Sequence, residues 1–118
     1  MIRVAFQLRV APEKLPEYRR RHAAVWPEML REIEASGRRN YSIFVREDGL
    51  LFGYYECDDP EVSDAYLAAS PVTARWEAEM SEFFDGLDGR ADQGATVLTE
   101  IFNLDQQLNA AVAEGEQE

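Results

Sequence analysis

Asp48-Gly49 lies between two runs of strand-forming residues, Asn40 to Arg46 and Leu50 to Cys57, and an Asp-Gly pair in Glu47-Asp48-Gly49 favours a tight hairpin turn. The middle of the chain is thereby committed to an antiparallel sheet, and the flanking sequence must supply what covers it. Upstream, Ile2 to Val10 alternates, with Val4, Phe6, Leu8 and Val10 on one face and Ala5, Gln7 and Arg9 on the other. Ala11-Pro12-Glu13 stops that strand, and Pro12 suits the first position of a helix. Leu15, Tyr18, His22, Val25 and Trp26 then share one stripe at helical spacing. Pro27 cannot continue the ladder of backbone hydrogen bonds, so a kink or restart is expected there, with Met29, Leu30 and Ile33 carrying the apolar stripe on to Gly37. Such a break leaves His22 near a helix end.

Downstream of the hairpin, Asp58-Asp59-Pro60-Glu61 reads as a helix start, and Ser70-Pro71 as a second one. The helix after Pro71 carries Val72, Trp76, Met80 and Phe83 at spacings of four, four and three. Asp85 to Gly94, rich in Gly and Asp, reads as a surface loop, and a last strand is expected from about Ala95 to Leu104. The order strand, helix, strand, strand, helix, strand fits a ferredoxin-like α+β domain: an antiparallel sheet with helices on one face. This domain takes residues 1–104, and 105–118 form an acidic C-terminal tail, frayed or weakly helical. In the third strand both alternating sets are apolar, Leu50, Phe52 and Tyr54 against Leu51, Gly53 and Tyr55. A sheet with one wet face does not look like that, so a partner subunit or an inward curl of the sheet is expected to cover the second face.

With 118 residues, 46% of them hydrophobic and 30% charged, the chain has room for one core. Its 12 basic and 23 acidic residues leave a formal charge of -11, which repels phosphate backbones and anionic membranes. Neither nucleic acid nor a membrane is therefore expected as a partner. No secretory leader or stretch of transmembrane length is visible, which gives a cytoplasmic expectation. Cys57 is the only cysteine, so an internal disulfide is ruled out, and its apolar surroundings suggest a buried, reduced thiol. One histidine and one cysteine make no zinc-type ligand set, and the glycines at 86, 89 and 94 follow a helix rather than a strand, so they form no dinucleotide fingerprint.

His22 is the only histidine, and histidine alone among side chains has an unperturbed pKa between about 5 and 8. Tyr18 lies one helical turn before it, about 40° round the helix, so both can touch one ligand. Spacing alone leaves two readings for each candidate. His22 is a hydrogen-bonded core residue or a proton-transfer group, Trp76 is packing or a ligand platform, and Tyr41 is an ordinary half-buried sheet aromatic or a ligand contact. Taken together, their imidazole, indole and phenol groups suit a small polyhydroxylated ligand that needs hydrogen bonds and a flat surface for its C–H groups.

The residues Ile2-Arg3, Ala5-Phe6, Glu17-Tyr18, Arg20-Arg21-His22, Trp26-Pro27-Glu28, Gly37, Asn40-Tyr41, Leu50-Leu51-Phe52, Arg75-Trp76, Met80, Glu100 and Phe102 give the chain, over residues 2–104, a resemblance to the L-rhamnose mutarotases. That resemblance implies a dimeric α+β barrel of ferredoxin-like subunits, a homodimer that interconverts the α and β anomers of L-rhamnose without metal or organic cofactor. It implies His22 as proton donor and Tyr18, Tyr41 and Trp76 as sugar contacts. The family commonly carries a second aromatic, Trp, directly after the first, and here that place is Glu77. Glu77 either lines the pocket and alters sugar preference or, about 100° round the helix from Trp76, turns outward. Two rival classes share the fold or the pocket chemistry: a cofactor-free monooxygenase and a non-enzymatic small-ligand binding module. The sequence favours the mutarotase.

Overall fold

The computed structural model describes residues 1–84 and 95–116. Strands β1 (Ile2–Arg9), β2 (Arg39–Val45), β3 (Leu50–Cys57) and β4 (Thr96–Leu98) form one antiparallel sheet in the order β2-β3-β1-β4. Helices α1 (Leu15–His22), α2 (Pro27–Ala35), α3 (Pro60–Ala69) and α4 (Pro71–Met80) connect them, and α5 (Leu104–Glu116) follows the sheet. This is the ferredoxin-like arrangement expected from the sequence.

The hairpin forms as its turn chemistry requires. Gly49 takes φ 94°, its N–H donates to Arg46 O at 2.9 Å, and Arg46 N–H donates to Leu50 O at 2.8 Å. Arg46 also donates through Nε and Nη2 to the Asp48 carboxylate, which holds that carboxyl far below the usual range. In β3 the expected two-sidedness resolves cleanly. Leu51, Gly53, Tyr55 and Cys57 are buried against the helices, whereas Phe52 remains 38% exposed on the other face. Gly53 is required where it stands, because an added Cβ would come within 2.1 Å of the Phe6 ring lying across it.

Prolines and caps set the helix boundaries. Pro27 begins α2 rather than kinking α1, so His22 is the last residue of its helix. The Asp59 side chain accepts from the Glu61 and Val62 N–H groups at the start of α3, and Ser70 Oγ accepts from Thr73 N–H at the start of α4. Pro12 opens a single 3₁₀ turn, Pro12–Lys14, before α1. The core cluster joins Phe6 and Leu51 from the sheet, and Val10 just past the end of β1, to Leu15, Tyr18, Met29, Trp76 and Met80 from the helices. Cys57 is a free, buried thiol whose pKa burial pushes up.

One expectation changes at the C-terminal end. The last strand is only three residues, Thr96–Leu98, not Ala95 to Leu104. Beyond Leu98 the chain leaves the ladder with β1, and Ile101 is 93% exposed. Arg3 Nε and Nη2 instead hold Glu100 in a bidentate pair at 2.7 and 2.9 Å. The expected Asp85 to Gly94 loop lies outside the described residues.

Candidate active site

Between the inner face of the sheet and the helices lies a cavity of about 540 Å³, within the usual range for small-ligand sites. All of the sequence-derived candidates reach it: Tyr18 and His22 from α1, Tyr41 from β2, Trp76 and Glu77 from α4. Each is delivered by a local feature of the chain. The end of α1 forced by Pro27 puts His22 at the rim, half-buried rather than enclosed. Tyr41 is aimed inward by an irregularity in the β2–β3 register between Arg39 and Ser42, where Asn40 adopts φ 51°, a left-handed conformation that Asn tolerates. Trp76 and Glu77 occupy adjacent positions on α4; Trp76 is buried and Glu77 is half-buried. Glu77 is among the residues that line the cavity.

The aromatic contacts define two walls. On the helix side His22 lies over Tyr18, with ring centroids 4.2 Å apart, and meets Trp76 edge-on at 5.5 Å, while Trp76 meets Trp26 edge-on at 5.1 Å. On the sheet side Tyr41 packs against Tyr55 at 5.3 Å and edge-on against Phe6 at 6.3 Å. The Arg38 guanidinium lies 4.1 Å over the Tyr55 ring and 5.8 Å from that of Tyr41.

Electrostatics distinguish the roles. His22 Nδ1 lies 3.1 Å from the Tyr18 carbonyl oxygen, and a carbonyl only accepts, so the proton of the neutral ring resides on Nδ1 and the lone pair on Nε2. Burial lowers the His22 pKa from its ordinary value, partly offset by that backbone hydrogen bond. The neutral ring therefore dominates at neutral pH, with Nε2 as a base. Burial, reinforced by the charges of Tyr41 and Glu77, pushes the Tyr18 pKa far above its ordinary value. Its phenol keeps its proton at neutral pH.

Sequence reasoning missed Arg38 and Thr73. Arg38, only 4% exposed, donates from Nε to Ser63 Oγ at 2.9 Å and from Nη2 to Asp64 at 2.7 Å, and it lines the cavity. In sequence it sits in Gly37-Arg38-Arg39, which looks like a solvated connection, and no spacing rule distinguishes it from Arg39. Thr73 had a readable signal: it lies three residues before Trp76 and four before Glu77, on the same helix face.

The sheet order and the placement of the helices define a ferredoxin-like α+β domain, and solved structures share it. An L-rhamnose mutarotase from Formosa agariphila superposes with a TM-score of 0.74 at 22% identity, covering 88% of this chain and 99% of the other. The tetracenomycin F2 cyclase of Streptomyces glaucescens superposes with a TM-score of 0.59 at 17% identity, covering 88% and 99%. Sequence is more specific. The L-rhamnose mutarotase family model matches residues 3–104. The L-rhamnose mutarotase of Oceanobacillus iheyensis is 35% identical over 108 residues, 89% of this chain and 100% of the relative, and that of Opitutus terrae is 37% identical over 106 residues, 89% and 100%. The chain belongs to the L-rhamnose mutarotase family.

Proposed function

We propose that this protein interconverts the α and β anomers of L-rhamnose, or of a closely related 6-deoxy or hexose sugar, with His22 as its proton-transfer group. The observation that carries the proposal is the fixed tautomer of His22: Nδ1–H is committed to the Tyr18 carbonyl, and the ring lines the sugar-sized cavity. Nε2 removes the proton from the C1 hydroxyl as the C1–O5 bond breaks, and the imidazolium passes that proton to the ring oxygen. The resulting aldehyde turns about C1–C2, Nε2 takes the proton back from the O5 hydroxyl as O5 attacks the other face, and the imidazolium, now the donor, returns it to O1. Atoms and charge balance without an oxidant or cofactor. A positioned general base of this kind typically contributes about a hundred- to ten-thousand-fold. Trp76 offers a flat face to the sugar C–H groups, and Tyr18 and Tyr41 offer hydroxyls to its oxygens.

The working unit in this proposal is a homodimer joined through the outer face of the sheet. Phe44, 64% exposed, stands opposite Phe52 in the β2–β3 register, and Ala5 stands opposite Leu98 in the β1–β4 register on the same face. Association of two copies through these residues would remove an apolar surface from water. No helix among the described residues is long and apolar enough to cross a membrane. The buried free thiol of Cys57 suits a reducing, cytoplasmic compartment.

The test is anomer exchange followed by NMR on L-rhamnose, comparing wild type with His22→Asn. Exchange above the buffer rate, lost in a variant that stays folded, supports the reading. Wild-type exchange no faster than buffer would refute it, and oxygen uptake with a polyphenol would then favour a monooxygenase.

A further inference from the structure

Thr73 is 1% exposed, lines the cavity, and its Oγ1 has no hydrogen-bond partner among the described residues. A buried hydroxyl left in that state costs stability, and the remedy usual for a helical threonine, a bond to the carbonyl four residues back, is not made here. Thr73 stands in the first turn of α4, and residue 69 belongs to the preceding helix. Valine would fill the same space without the penalty. Thr73 shares its helix face with Trp76 and Glu77, so a ligand lying against Trp76 is within one helical turn of it.

We propose that Thr73 is a substrate-contacting residue whose Oγ1 exchanges a hydrogen bond with a ring hydroxyl of the sugar other than the one on C1. The ligand chemistry that fits is a neutral polyol. A sugar hydroxyl both donates and accepts, as Oγ1 does, whereas a sugar carboxylate would meet the Glu77 carboxylate on the same helix face. The C1 hydroxyl belongs to His22 in the proposed mechanism, so Thr73 serves the hydroxyls on C2, C3 or C4 and fixes which way round the ring enters. Arg38, buried in the wall of the same cavity and anchored to Ser63 and Asp64, adds polarity to a surface otherwise built from residues such as Leu51, Leu67 and Met80.

This inference rests on the mutarotase reading, and the experiment separates the two. Anomer exchange is measured for wild type, Thr73→Val and Thr73→Ser on L-rhamnose and its 2-, 3- and 4-deoxy analogues, with thermal denaturation of each variant. Thr73→Val is expected to melt at or above the wild-type temperature while raising KM for L-rhamnose roughly three- to tenfold, with Thr73→Ser close to wild type. On one of the deoxy analogues wild type and Thr73→Val should converge, because the bond is already missing from the substrate. Unchanged KM in a folded Thr73→Val, or an equal loss on all four sugars, overturns the inference. If Thr73→Val fails to fold, wild type alone decides: KM unaltered on every deoxy analogue also overturns it. Wild type that exchanges no anomers at all removes the mutarotase reading instead.

Discussion

The two faces of the one sheet have had opposite work done on them. The inner face is closed by α1 to α4 and carries Phe6, Leu51, Tyr55 and the inward-turned Tyr41, against which the helices bring His22, Tyr18 and Trp76. The outer face is just as aromatic, with Phe44, Phe52 and Tyr54, yet this chain leaves Phe44 64% exposed. Only the inner face holds an imidazole with a lowered pKa in a cavity. The lesson is that apolar content says a surface must be covered, while chemistry requires in addition a titratable group fixed by a neighbour, here His22 by the Tyr18 carbonyl.

The contrast is open to attack on either side. On the inner face, His22→Asn replaces the imidazole with a smaller side chain that keeps an N–H donor but does not titrate, so it is expected to fold as wild type and to lose about a hundred- to ten-thousand-fold of the anomer exchange rate. NMR exchange with a matched melting curve checks this, and a variant that unfolds would turn His22 into a structural residue. On the outer face, Phe44→Lys with Phe52→Lys should convert a dimer to a monomer in solution mass measurements at micromolar concentration while leaving the cavity formed. A wild-type mass already that of a monomer would remove the proposed interface. The smallest effect is expected at Glu77. Since it lines the cavity, Glu77→Trp should shift the ratio of exchange rates among L-rhamnose, L-mannose and L-fucose toward the 6-deoxy sugars by a few-fold, roughly the discrimination that a single methyl or hydroxyl supports. An unchanged ratio across the panel would show that the side chain contacts no sugar.

Much of this arrangement was legible in the sequence, and the physical reason is that each legible element is local. Pro27 had to end one helix and begin another, Asp48-Gly49 had to turn, and Ser70-Pro71 had to start a helix, so the ends of α1, β2, β3 and α4 could be placed from neighbours in the chain. The family pattern supplied Tyr18, His22, Tyr41 and Trp76, and the structure gathers them into one cavity. What stayed hidden depends on distant partners. The burial of Arg38 is created by Ser63, Asp64 and Tyr55, all more than ten residues away. The ladder between β1 and β4 stops at Leu98, an end that alternation alone cannot reveal. The inward aim of Tyr41 depends on the irregularity at Asn40, and the sequence gives a strand there without its bulge.

The central claim is that His22 begins the reaction as a neutral base at Nε2, and the pH dependence of wild-type anomer exchange tests it directly. Burial lowers the pKa, so the active neutral form persists above the ordinary histidine value of about 6.5 and is lost only as the pH falls through a lower pKa. Measured by NMR on L-rhamnose between about pH 5 and 8, the enzymatic rate above the buffer background should be level near neutrality and decline toward acid with a midpoint below 6.5. A rate that instead rises toward acid, or that shows no dependence across this range, would contradict the account.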